Sequence, residues 1–223
     1  MVVLRRSIST IDRERILIAV IDYECANLSS LAEALRRLQV DFKVTREPSE
    51  IRDSTGIILP GVGHFGHAVA KLEEFKLKEV LVECASNGTY LFGICVGMQL
   101  LADWSEEAGP DSRGLGLIPA IVRDIGAMGV TSSIPHVGWN ELRFSNPDHP
   151  MISGVAEGGD VYFVHSFALE LENPADLVAT THHDVELVAA VARDRVWGAQ
   201  FHPEKSSRVG MKFLKNFVEL IPC

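Results

Sequence analysis

No stretch of the 223-residue chain approaches the roughly 20 consecutive apolar residues that a bilayer-spanning helix requires. Positive charge is in deficit. Against 30 Asp and Glu there are 21 Lys and Arg, a formal net charge of −9, which argues against nucleic acid or an anionic membrane as a main partner. Residues 1–15, MVVLRRSISTIDRER, lack a sustained apolar segment and carry Asp12 and Glu14 among their arginines, so they do not read as a secretory signal. They read as a flexible lead, or as a start codon set too early. Cysteine is sparse: Cys25, Cys84, Cys95 and Cys223 show neither paired nor metal-type spacing, which points to a reduced, cytoplasmic protein without a zinc site. Internal repeats, low-complexity tracts and linkers are also missing. What is left is ordinary in bulk, 47% apolar and 23% charged, and long enough for one sizeable domain, assigned to residues 16–223.

The first half alternates two periodicities. ILIAVIDY (16–23) is a continuous β-branched run suited to a strand buried on both faces of a parallel sheet. Asn27, Ser29 and Ser30 offer capping groups around the start of LAEALRRL, whose apolar residues recur at helical spacing. DFKVTR is a short strand, and GIIL is a buried strand ending in a Pro/Gly turn. HAVAKLEEFKLKEVLVECASNG predicts one helix, stopped at Asn87-Gly88. The apolar run Tyr90-Leu91-Phe92 then predicts a further strand, a turn and a helix. Such alternation indicates a doubly wound parallel sheet. From about Gly114 the segments become short, alternating and turn-separated, hence β-rich and partly antiparallel, until SRVGMKFLKNFVELI closes the chain as an amphipathic helix.

Within that frame a lone thiol sits between two glycines, Gly93-Ile94-Cys95-Val96-Gly97, where a buried strand turns into a helix. Glycines there permit a tight turn and keep the central side chain uncrowded, the logic of a nucleophile elbow with sulfur in place of hydroxyl. Helix-start N–H groups favour a thiolate and can stabilise an oxyanion. From the pentapeptide alone, a buried structural cysteine is as good a reading.

A thiol nucleophile needs a base, and the base an orienting group. Of eight histidines, His64, His67, His149, His182 and His183 lie in polar or loop-like stretches and read as surface residues. His136, His165 and His202 remain. Pro203 biases His202 toward extended backbone, in which Glu204, two residues on, faces the same side and can orient the imidazole. LPGVGHFG (59–66) lets Gly61 and Gly63 turn backbone amides toward a ligand, or is only a tight strand-end turn. Cys95 and this loop both fall beyond the carboxyl ends of strands, where doubly wound sheets bind ligands.

Together Gly93-x-Cys95-x-Gly97 with Gln99, Pro60-Gly61-Val62-Gly63 and Phe201-His202-Pro203-Glu204 resemble the class I (Cys-His-Glu triad) glutamine amidotransferases. IPHVGWNEL and VYFVHSF narrow the resemblance to the glutaminase subunits of imidazole glycerol phosphate synthases, from about Ile16 to the end. The resemblance implies a mixed, mostly parallel central α/β sheet flanked by helices, with a smaller antiparallel β section. It implies Cys95 as nucleophile, His202 as acid–base, Glu204 as its orienter, and Gly61, Gly63 and Val96 around the oxyanion. Gln99, His165 and Ser166 would bind glutamine. Neither cofactor nor metal is implied. The ammonia would pass to a (β/α)8-barrel cyclase subunit in a heterodimer, with Asn27, Trp139, Asn140 and Lys205 near the interface.

The chain departs from the family in carrying Glu24-Cys25-Ala26 where a Gly-rich turn is usual, and Phe167 where tyrosine is common. Two rival readings stand beside this one: a paralogous glutaminase feeding amidino-sugar synthesis for surface polysaccharide, and a cysteine hydrolase that works without a partner.

Overall fold

The computed structural model describes residues 18–221; the expected lead over 1–15, the first two residues of the expected opening strand and Cys223 lie outside them. The chain runs β1 (Ile18–Ile21), α1 (Leu28–Arg37), β2 (Phe42–Thr45), α2 (Pro48–Asp53), β3 (Gly56–Gly61), α3 (Phe65–Glu74), α4 (Lys78–Ser86), β4 (Tyr90–Cys95) and α5 (Val96–Gln99). Short strands follow, β5 (Trp104–Ser105), β6 (Gly109–Arg113), β7 (Ala120–Asp124), β8 (His136–Glu141) and β9 (Arg143–Phe144). The last part comprises β10 (Asp160–His165), β11 (Phe167–Leu171), β12 (Leu177–His183), β13 (Val185–Arg193), β14 (Val196–Ala199) and α6 (Ser207–Leu220).

Eight strands form one sheet in the order β2-β1-β3-β4-β14-β13-β12-β9. From β2 to β14 the neighbours are parallel; from β14 to β9 they are antiparallel. The apolar run expected of a strand covered on both faces is realised: Ile18–Ile21 and Gly56–Gly61 are buried throughout. Two smaller sheets, β10-β8 and β11-β7-β5-β6, supply the mostly antiparallel section, in which only the β5–β7 pair is parallel. The main core cluster runs from Ile18 to Ile221, with Phe92, Phe201, Phe213 and Phe217 joining the sheet to α6, and a small second cluster gathers Ile125, Val130, Ala168 and Leu187. Each fully buried ring contributes about 1.5–3 kcal/mol. No helix among the described residues is long and apolar enough to cross a membrane.

Three expectations change. The long helix over residues 67–88 is two, because Lys76 takes a left-handed φ of 55° and ends α3's hydrogen bonding; α4 does stop at Asn87, with Gly88 at φ 84°. The helix after Cys95 is a single turn of four residues. Asn27 occupies the N-cap of α1, but its side chain makes no capping bond.

Candidate active site

Backbone crowding sets the thiol. β4 pairs with β3 in a register that places Gly61 beside Cys95. A Cβ on Gly93 would lie 2.5 Å from the Gly97 carbonyl oxygen, and one on Gly97 only 1.8 Å from that of Leu59. No larger residue fits either position without moving backbone. Squeezed between them, Cys95 adopts φ 54° and ψ −113°, a region that costs a non-glycine residue about 1–3 kcal/mol. Such strain is kept where the side chain must project from the turn.

The imidazole arrives from the other half of the sheet. Beyond β14 the chain bends at Gln200 and Phe201, with the Gln200 N–H donating to Ala189 O and that of His202 to Tyr162 O. Phe201 enters the core against Phe163 and Phe213, whereas Gln200 reaches the Cys95 sulfur and His202 opens into the cavity beside it. His202 is 2% exposed and Cys95 3%. Glu204 does reach His202, Oε1 to Nδ1 at 2.9 Å, but through a 3₁₀ turn at Pro203–Lys205 rather than along an extended strand. Carboxylates only accept, so Nδ1 carries a proton and Nε2 is the nitrogen free for chemistry. That Nε2 has no hydrogen-bond partner among the described residues. It nevertheless lies within the electrostatic reach of Cys95. Burial disfavours the imidazolium, but the adjoining sulfur and the Glu204 carboxylate outweigh it and raise His202 to about 9.

Sulfur and imidazole open into one cavity of about 330 Å³, lined also by Gly63, Val96, Gln99, Glu107, His165, Ser166 and Phe167. Gln99 spends both amide hydrogens inside the protein, on Phe167 O at 3.0 Å and Gln200 Oε1 at 3.1 Å, which leaves its carbonyl end for a ligand. His165 spends both ring nitrogens, Nδ1 on Phe167 O and Nε2 on His136 Nδ1. Burial lowers His165 to about 3, so it is a neutral wall rather than a charge. Glu107, absent from the sequence reading, brings a carboxylate to this cavity, with Oε2 accepting from the Phe65 N–H at 2.7 Å. Nothing local marks it, because it sits in a turn between two very short strands. On the loop beside the sulfur, the Val62 N–H donates to Cys25 O at 2.7 Å and is thereby turned away from the cavity.

Two histidines read as surface residues are not. His183 is half-buried and stacks on His136 at 4.2 Å between ring centres, and His149 packs edge-on to Trp197. Glu24, where the family prefers glycine, takes φ 67°, held there by Arg46 and Lys71. Of the expected interface residues, Trp139 is 54% exposed, beside Val137 and Val164 on the open face of the β8–β10 ribbon. Asn27 is exposed and Lys205 half-buried next to Glu204. Asn140 instead faces inward: its amide nitrogen bonds His136 Nε2 and His182 O.

The family model for glutamine amidotransferase class-I matches residues 19–220. The chain is 41% identical over 208 residues to the imidazole glycerol phosphate synthase subunit HisH of Halalkalibacterium halodurans, covering 92% of this chain and 96% of that one. It is 44% identical over 205 residues to the HisH of Geobacillus kaustophilus, covering 91% and 96%. For the HisH of Halobacterium salinarum the figures are 42% over 208 residues, 91% and 92%. Among solved structures, a glutamine amidotransferase superposes with a TM-score of 0.73 at 21% identity, over 92% of this chain and 98% of its own. The glutaminase domain of a Trypanosoma brucei CTPS gives 0.62 at 17%, over 93% and 96%; at such identities the likeness is one of fold. A family match spanning nearly the whole chain, together with relatives above 40% identity, makes this protein a member of the class-I glutamine amidotransferase family.

Proposed function

We propose that the chain is the glutaminase subunit of an imidazole glycerol phosphate synthase, cytoplasmic and paired with a (β/α)8-barrel cyclase subunit in histidine biosynthesis. One observation carries the chemistry: a strained, buried thiol shares a cavity with an imidazole whose far nitrogen is held by a buried carboxylate. The pathway rests on the relatives' names.

In this reading His202 Nε2 takes the Cys95 proton, and sulfur attacks the side-chain amide carbon of glutamine. N–H groups at Gly61, Gly63 and Val96 surround the oxygen that becomes negative. The imidazolium then gives its proton to the departing nitrogen, ammonia leaves, and water cleaves the thioester to glutamate. The Glu107 carboxylate and the Gln99 carbonyl suit the α-ammonium of the substrate, and the Ser166 hydroxyl its carboxylate. With Val62 N–H committed to Cys25 O, the oxyanion loop is one donor short, which supports a site idle until its partner docks. Ammonia released into water would be protonated and lost as a nucleophile, so the exposed Val137, Trp139 and Val164 face is read as the surface that the cyclase subunit covers, with Asn27 and Lys205 nearby.

The test is glutamine hydrolysis with and without the cyclase subunit and its ribonucleotide ligand. Activation by both is expected. Equal turnover by the isolated chain would favour a free-standing cysteine hydrolase. Cys95→Ala should abolish glutaminase while leaving cyclisation with added ammonium salt; loss of both would make Cys95 a folding or docking residue.

A further inference from the structure

Gln200 has no role in the chemistry above, yet it is fully buried and its Nε2 lies 3.8 Å from Cys95 Sγ, within hydrogen-bonding range for sulfur. An amide side chain can be turned either way, so the direction of this contact has to be derived. It follows from a backbone group. The Phe167 carbonyl can only accept, so the end of Gln99 facing it at 3.0 Å is the amide nitrogen. The second hydrogen of that nitrogen points at Gln200, 3.1 Å away, and must meet Oε1. Gln200 therefore turns its own nitrogen to the sulfur. His165 Nδ1–H also donates to Phe167 O, at 2.9 Å, and pins the same carbonyl from another side. Since His165 is neutral, its Nε2 accepts from His136 Nδ1–H at 3.0 Å, and His136 Nε2 accepts from Asn140 Nδ2 at 3.2 Å. Each bond in this set has one possible polarity, and together they leave Gln200 no alternative orientation.

We propose that Gln200 is a positioning residue for the nucleophile: its amide N–H, oriented through Gln99 by the Phe167 carbonyl, donates to the Cys95 sulfur and holds the thiolate in line between itself and His202. A thiol is a weak acceptor, whereas a thiolate is a strong one, so the bond favours the reactive form. Gln200 and His202 stand two residues apart in the bend that follows β14, so one short segment delivers both groups to the site. The proposal rests on the reading of Cys95 as nucleophile.

Two variants of nearly equal volume separate the effects. Gln200→Met removes donor and acceptor. Gln200→Glu keeps an oxygen for Gln99 but presents the sulfur with no hydrogen. The reaction of Cys95 with iodoacetamide, followed by peptide mass mapping across pH, is expected to slow about tenfold at pH 7 in Gln200→Met and further in Gln200→Glu. Its profile should move up by about one pH unit. Glutaminase kcat with the cyclase subunit should fall by a similar factor at unchanged KM. A merely structural role would lower the melting temperature without moving the alkylation profile, and profiles matching wild type in both variants overturn the proposal. Should neither variant fold, the wild-type protein still decides. It has three glutamines, Gln39, Gln99 and Gln200, and the Gln200 side-chain amide signals in ¹⁵N NMR should move as Cys95 ionises. Signals that stay put overturn the proposal. Glutamine turnover surviving in Cys95→Ala would remove the underlying reading instead, whatever the alkylation profiles show.

Discussion

The thiol and the imidazole are held by opposite means. Around Cys95 the turn is fixed backbone against backbone, Gly93 against the Gly97 carbonyl and Gly97 against that of Leu59. Around His202 the constraint is a side-chain hydrogen bond, Nδ1 to Glu204, and the set of Gln200, Gln99 and the Phe167 carbonyl reaches the sulfur itself across long sequence distances. Steric exclusion is all or nothing, whereas polar positioning is graded. Damage to the parallel half of the sheet should therefore appear as lost folding, and damage to the antiparallel half as altered chemistry in a folded protein.

The sharpest attempt to break that contrast is Gly97→Ala. A methyl 1.8 Å from the Leu59 carbonyl oxygen forces α5 away from strand β3, and about 4–5 kcal/mol of stability should be lost, as judged by urea denaturation. A variant of near wild-type stability would show that the turn yields. Glu204→Gln should lower kcat at least about a hundredfold with the denaturation midpoint little changed, because the amide cannot stabilise the imidazolium. His202, at about 9 in the native protein, should then titrate closer to its ordinary value by NMR. Trp139→Ala should weaken binding of the cyclase subunit by about 2 kcal/mol in calorimetry, yet change the melting temperature little, since more than half of the side chain faces solvent.

A smaller effect comes from pH. Burial holds His136 at about 4 and His165 at about 3, below the ordinary value of 6.5. The unfolded chain therefore takes up protons first as pH falls. Stability from these two groups is complete above pH 6.5 and declines toward pH 4 and 3, at about 1.4 kcal/mol per pH unit for each histidine. His202 has the opposite sign: its contribution is complete below pH 6.5 and fades as pH rises through about 9. Urea midpoints flat between pH 6.5 and 4.5 would contradict the buried neutral histidine pair.

Legibility in the sequence follows the same division. Cys95 could be read from its neighbours because steric constraints are local, and glycines flanking a thiol announce them. His202 and Glu204 were legible through Pro203, although a 3₁₀ turn rather than extended backbone brings the carboxylate to the ring. The parallel strands stood out because burial on both faces leaves unbroken β-branched runs such as Ile18–Ile21. Gln200, Glu107 and the half-buried His183 went unseen, since their partners lie from 42 to 105 residues away and only tertiary register brings them together. The spacing of two residues about the apolar Phe201 was the one signal that could have placed Gln200 beside His202, although the segment is a bend and not a strand. The break at Lys76 left no mark either: the apolar spacing continues through it, and only the left-handed backbone there divides α3 from α4.

The chemistry turns on which sulfur reacts. Cys25 and Cys84 are held up by burial and so are poor nucleophiles near neutral pH. The direct measurement is peptide mass mapping after treatment of the complex with a glutamine-like electrophile such as 6-diazo-5-oxo-norleucine. One adduct on Cys95, lost in Cys95→Ala and slowed in Glu204→Gln, is the predicted result. An adduct on Cys25 or Cys84, or labelling indifferent to Glu204, would contradict it.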